Sequence, residues 1–344
     1  MKKICFILLS LLLLVACSNN QDRAGQEQTD QKLMENKDTT YVGFALDTLR
    51  EDRWYQDKEA FEKEVTNLGG KVKTLAANGS HEVQLEQVKL LLNEGVDVLV
   101  IVPTDATKAA EAVELANEAN VPVVSYDRLV LNANVDYYIS FDNEKVGELQ
   151  AQAIVDRIAE GNVAYIGGAE SDNNAKMLRE GSMRVLEPFI ESGDIQLVYD
   201  QFTEGWSPET AQEQLSTYLE GANQPLNGII AANDGTAGGA IEAIGNQAGN
   251  MPVSGQDAEL EALQRIVNGT QAITVYKPID TIAKQAASLA MNIHKEEDIS
   301  TDTTINNESK DIPTILLEPT LINQDNIDEE IIENEVYTEE EIYQ

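Results

Sequence analysis

Val123-Val124-Ser125-Tyr126-Asp127-Arg128 is an apolar run that stops abruptly at an adjacent pair of opposite charges. A short run with β-branched residues reads as a buried strand. In an open α/β sheet the carboxyl ends of the strands are where ligands bind. Taken alone, Asp127 and Arg128 are equally well read as a solvated surface pair, which is worth little. The neighbouring segments decide between the two readings.

Strand-length apolar runs recur along the chain at 41–46, 72–75, 98–102, 121–126, 137–141, 163–166, 196–199, 228–231, 253–255 and 272–276. Between most of them lie amphipathic segments, clearest at 58–68, 82–93, 106–119 and 144–158, with a further helix expected over 279–294. Strands apolar throughout and alternating with helices predict parallel sheets covered on both faces, joined by right-handed crossovers. The punctuation agrees. Thr104 can cap the helix after Pro103, Ser207-Pro208 supplies an N-cap with proline at the first helical position, and Gly69-Gly70 and Gly95 sit where helices should stop. A body of roughly 300 residues exceeds one hydrophobic core, and the strands divide naturally into two α/β units, about 41–140 and 141–275. The run 312–322 looks extended.

The first residues read as a targeting signal rather than as fold. Lys2 and Lys3 precede an apolar stretch over 4–15, and Leu14-Val15-Ala16-Cys17 ends in small residues before a cysteine. The apolar core is too short to span a bilayer. Residues 17–40 are polar and without periodicity, a flexible tether. Cys5 and Cys17 are the only cysteines and His81 and His294 the only histidines, so the body has no thiol for a disulfide or nucleophile and little for histidine-based metal or acid–base chemistry. Sixty acidic against 24 basic residues, net −36, argue against nucleic acid and against docking on anionic lipid through a basic face. Residues 324–344 carry many carboxylates and no Lys or Arg, and are expected to form a mostly disordered acidic tail, with a short helix as the alternative to full disorder.

Nearly every expected strand ends in chemistry. The first leads to a loop with Arg50, Arg53 and Trp54, the fourth to Asp127-Arg128, and the sixth to Asp172-Asn173-Asn174. Later strands lead to Trp206, to Asn233-Asp234, to Gln256-Asp257 and to Lys277. This inventory suits a polyhydroxylated ligand: carboxylates accept from hydroxyls, Arg, Lys and Asn donate to them, and indole faces cover the apolar face of a sugar ring. Each member alone has a plainer reading, Asn233-Asp234-Gly235 as a helix cap and Trp54 as core. Their joint occurrence at successive strand ends favours a site. Enzymatic readings fare worse. There is no G-x-x-x-x-G-K-[ST] loop and no complete G-x-G-x-x-G fingerprint, and Gly238-Gly239 reads instead as close helix packing. Neither histidine follows a strand, as a Ser-His-Asp site would need. The paired carboxylates of glycoside hydrolysis stay open, since acids are abundant, but nothing singles out a pair.

LREDRW (49–54), GVDVLVIVP (95–103), YDR (126–128), YISFDNEKVGELQA (138–151), DNNAK (172–176), TAGGAI (236–241), SGQDAEL (254–260) and TVYKPI (274–279) together resemble the sugar-binding proteins of bacterial ABC importers, which have the type I periplasmic-binding-protein fold. Within that family the chain resembles the ribose/xylose-binding group, its D-xylose-binding members above all. The resemblance implies two Rossmann-like, doubly wound parallel-sheet lobes joined by crossover hinges near 140–143, 275–279 and 309–313. Their expected extents are 41–140 with 278–310 and 141–277 with 311–323, after a signal over 1–16 and a lipobox that attaches lipid to Cys17. It implies sugar contacts at Arg53, Trp54, Asp127, Arg128, Asn174, Trp206, Asn233, Asp257 and Lys277, the two tryptophans on opposite ring faces. It further implies a monomeric, non-enzymatic protein without cofactor or metal, held to the membrane only by its lipid, that captures a monosaccharide (D-xylose first, with ribose, glucose or arabinose as alternatives). The sugar would pass to a separate ABC permease and its ATPase. The alternative is a sensor that presents the sugar to a receptor or histidine kinase.

Overall fold

The computed structural model describes residues 39–222 and 224–344. The expected signal, Cys17 and nearly all of the tether lie outside them. Two α/β lobes follow. The first is built on a seven-stranded sheet in the order β10-β11-β5-β4-β3-β1-β2. Its chain runs β1 (Tyr41–Leu46), α1 (Asp52–Asn67), β2 (Lys71–Ala76), α2 (His81–Glu94), β3 (Val98–Ile101), α3 (Ala110–Glu118), β4 (Val123–Tyr126) and β5 (Tyr137–Phe141). After the second lobe it resumes with α9 (Ile279–His294), β10 (Thr303–Asn306) and β11 (Asp311–Leu317). All pairings are parallel except the β10 edge.

Strand β3 shows why these residues make a two-faced layer. Its side chains alternate: Leu99 and Ile101 join the core under α2 and α3, while Val98 and Val100 join the core under α1 and α9. All four are fully buried, which a strand apolar on both faces requires.

The second lobe comprises α4 (Asn143–Ile158), β6 (Gly161–Gly167), α5 (Asn173–Ser192), β7 (Ile195–Phe202), a 3₁₀ turn (Glu204–Trp206), α6 (Pro208–Gly221), β8 (Gly228–Ala231), α7 (Asp234–Ile244), α8 (Leu260–Val267) and β9 (Thr274–Tyr276). Strands pair as β7-β6-β8 in parallel, and β9 pairs antiparallel with β12 (Thr320–Ile322). Glycines set the helix spacing. A Cβ on Gly147 would lie 1.9 Å from the Leu178 carbonyl oxygen, one on Gly181 2.0 Å from that of Glu144, and one on Gly239 2.1 Å from that of Pro208. The backbones of α4 and α5, and of α6 and α7, are therefore in direct contact.

Four expectations need correction. Residues 253–255 form no strand beyond one bridge from Val253 to Ile229, because the Ser254 hydroxyl takes the Ala231 N–H (3.1 Å) and carbonyl (3.3 Å) that a ladder would use. Thr104 caps no helix: its N–H and hydroxyl bond Gln84 Oε1, and Asp105 instead accepts from the N–H groups of Thr107 and Lys108. The last crossover comes after β11, not before it, since β11 pairs with β5 and only β12 reaches the second lobe. Residues 324–344 are not a disordered tail. They form a π-helical turn (Asp328–Ile332) and α10 (Glu339–Ile342), the latter opened by a Thr338–Glu341 capping box. Ile327, Ile331 and Ile342 are buried against Ala258, Leu263 and Ile322. An apolar stripe spaced for one face was hidden by an acidic average.

Candidate functional site

The carboxyl ends of the strands in both lobes face one cleft. From the first lobe, β1 leads to Asp47 and on to Arg53 and Trp54 in the first turn of α1, and β4 leads to Asp127-Arg128. From the second, Asp172 caps α5 ahead of Asn174, the 3₁₀ turn presents Trp206, Asn233 caps α7, Asp257 lies on the loop before α8 with its N–H donating to Val275 O of β9 (2.8 Å), and Lys277 directly follows β9. Arg53, Trp54, Asp127, Arg128, Asn174, Trp206, Asn233, Asp257 and Lys277 all line a single narrow cavity between the lobes, of about 30 Å³. All but Asp257 are buried as whole residues, and the Asp257 side chain is only 7% exposed.

Charges in the cleft are matched in advance. Arg53 reaches Asp57 (3.2 Å), Asp127 (2.9 Å) and, across the cleft, Asp257 (3.2 Å). Arg128 pairs with Asp47 (2.6 Å) and, across the cleft, with Asp172 (2.7 Å). Lys277 Nζ lies 3.1 Å from Asp257. Both guanidiniums also sit over the Trp54 ring, 4.3 Å and 5.1 Å from its centroid. Two of these ion pairs, Arg53–Asp257 and Arg128–Asp172, join the lobes, and all four side chains face the ligand space, so the same side chains close the cleft and line it.

Asp127 is held more tightly than any strand end requires. Its φ is +60°, an uncommon conformation for a residue with a Cβ. Its carbonyl accepts from Tyr138 Oη (3.0 Å), Ser140 Oγ (2.6 Å) and Asn174 Nδ2 (3.0 Å), and its N–H donates to Ile139 O (2.8 Å). The surrounding structure over-determines the strained backbone. Burial opposes ionisation of its carboxyl, but Arg53, with Lys277 and Arg128, overcomes that and holds the pKa below the usual range. Burial prevails at Asp172, whose pKa is raised.

Trp206 is also in left-handed conformation, φ +58°, and its indole N–H donates to Asp172 (3.2 Å). A Cβ on Gly168 would lie 2.2 Å from the indole, so only glycine leaves the ring its place. The Asn233 side chain does serve as a helix cap, its Oδ1 accepting from Thr236 N (2.8 Å), yet the same residue lines the cavity. Cap and site are one residue.

Glu51, Asp172 and Gln256 line the cavity too and are not among the expected sugar contacts. Asp172 and Gln256 belong to the strand-end runs already noted, whereas Glu51 carried no signal beyond its place two residues before Arg53. Among the described residues, Glu51 Oε2, Asn174 Oδ1 and Gln256 Oε1 are buried without hydrogen-bond partners. They are acceptors ready for a ligand's donors. With cations already paired to carboxylates, the cleft suits a neutral, hydroxyl-rich molecule rather than an anion. Among the described residues no His, Cys, Asp and Glu cluster is arranged to hold a metal, and no helix is long and apolar enough to cross a membrane.

Comparison with known proteins bears on the whole body. The periplasmic binding protein domain model matches residues 42–298. The D-xylose-binding periplasmic protein of Escherichia coli is 44% identical over 303 residues, covering 88% of this chain and 92% of that protein. The protein of the same description from Haemophilus influenzae is 42% identical over 304 residues, with the same two coverages, 88% and 92%. Among solved structures, a carbohydrate transporter solute-binding protein from Chloroflexus aurantiacus in complex with D-glucose superposes with a TM-score of 0.82 at 33% identity, covering 88% of this chain and 98% of its own. Two lobes, a cleft lined from both and a match across most of the described body place this chain in the periplasmic binding protein family.

Proposed function

We propose that the chain captures a monosaccharide, D-xylose first, between its lobes and delivers it to a separate ABC import permease. The observation that carries this reading is the cleft itself. Charge-compensated, flanked by Trp54 and Trp206, and fitted with unpartnered acceptors, it draws its walls from both lobes. The D-xylose-binding descriptions of the relatives support the choice of sugar. Binding follows from the two-lobe construction. Asp127 and Asn174 come from different lobes, 3.1 Å apart. A ligand touching both binds the closed arrangement better than the open one and shifts the population toward it.

Arg53, Asp127, Asp257 and Lys277 then act as donors and acceptors for ring hydroxyls, and the tryptophans cover the ring faces. The chain works as a monomer tethered through lipidated Cys17. Calorimetry with D-xylose, ribose, arabinose and glucose tests the sugar: xylose binds at micromolar or tighter affinity. Trp206→Ala or Asp127→Ala weakens it at least tenfold, about 1.4 kcal/mol. Tight binding of another sugar with no heat from xylose overturns the choice of sugar and keeps the class.

A further inference from the structure

Glu51 is the N-cap residue of α1, yet its side chain makes no cap bond. An acidic residue there ordinarily accepts from the free N–H groups of the first turn. Here Oε2 is instead buried without a partner among the described residues. Burial raises its pKa, while Arg128, then its own backbone N–H and then Arg50 pull it back, and none of them satisfies Oε2. A carboxylate oxygen that serves neither the helix nor an ion pair is free to serve a ligand.

Its location says which part of a ligand. Glu51 lines the binding cavity and also a second cavity between the loop tips of the two lobes, which includes Asn78, Thr104, Ser207 and Thr210. Arg128, Asp172 and Trp206 share that boundary. Glu51 therefore stands where the ligand space opens toward the mouth of the cleft.

We propose that Glu51 is a specificity-determining residue of this cleft. Its free oxygen accepts a hydrogen bond from the ligand hydroxyl nearest the mouth, so sugars with a donor at that position are selected over those without one. The assignment rests on the monosaccharide reading above. A site built to bond a hydroxyl rejects an analogue that lacks it, because the buried acceptor is left unpaired.

Calorimetry with D-xylose and its monodeoxy analogues, on the unaltered protein, Glu51→Gln and Glu51→Leu, tests this. If another sugar proves to be the ligand, its own deoxy series is used. Glu51→Leu weakens the parent sugar about tenfold, and Glu51→Gln, which keeps an acceptor, weakens it less. For one deoxy analogue, that lacking the mouth-facing hydroxyl, Glu51→Leu has no effect. Both variants keep the unliganded melting temperature of the parent. Unchanged affinities, equal weakening of every analogue, or a fall of several degrees in both melting temperatures would overturn the assignment. Failure of the unaltered protein to bind any monosaccharide sinks the function reading, and this assignment with it.

Discussion

Asp57 lies one helical turn beyond Arg53 and has no solvent exposure. Burial pushes its carboxyl up to about 6, against the pull of Arg53 and a hydrogen bond from Tyr126. A carboxyl with a raised pKa holds its proton in the folded chain over a range where the unfolded chain has lost it. Stability from this group is thus fully present below pH 4 or so and declines as pH rises toward 6. The decline amounts to roughly 3 kcal/mol at most. Asp127, with its lowered pKa, works in the opposite sense and loses its contribution only in acid. Urea unfolding between pH 4 and 7 should show Asp57→Asn gaining on the parent protein as pH rises, and parallel curves would refute the shift. The strand-end residues were legible because a polar group after an apolar run stands out. Asp57 was not, being one of many acids on a helix whose partner, Tyr126, comes from a distant strand.

At the scale of elements, glycines position what the side chains do. Gly168 directly follows β6 and packs against Trp206, and an added Cβ meets three indole carbons at 2.2–2.4 Å. Gly168→Ala should therefore displace Trp206, weakening sugar binding by tenfold or more while lowering stability only by the 1–3 kcal/mol typical of overpacking. Tryptophan fluorescence would report the displacement. Unchanged affinity in a variant of unchanged spectrum would show that the loop yields instead. The contact was invisible in sequence, where Gly168 is only one of two adjacent glycines after an apolar run and Trp206 lies far along the chain. Helix and strand bounds fared better, because periodicity reports burial directly: residues 41–46, 137–141, 228–231 and 279–294 are elements as expected. Residues 253–255 escaped because a serine side chain substitutes for ladder bonds, which periodicity cannot register.

Over the whole molecule, the largest departure from expectation is the C-terminal segment, and it carries a stability consequence. Ile327, Ile331 and Ile342 cover Leu263 on α8, Ile322 on β12 and Ala258, which follows the cleft residue Asp257. Gln324 Nε2 bonds the Ile266 carbonyl (2.8 Å) and Gln264 Nε2 bonds that of Glu341 (2.8 Å). Tyr337 reaches back to Gln56 on α1 (3.4 Å), so the segment touches both lobes. Each buried isoleucine contributes about 1.5–3 kcal/mol. Ending the chain at residue 323 should then cost several kcal/mol and lower the melting temperature clearly. Because Asp257 and Ala258 hold φ of +99° and +53°, a strained pair kept in place by its surroundings, sugar affinity should fall as well. Ile331→Ala separates the two effects: it removes core area without touching Gln56, and should lower stability more than affinity. A truncated chain that melts and binds like the full one would mean that these contacts contribute nothing.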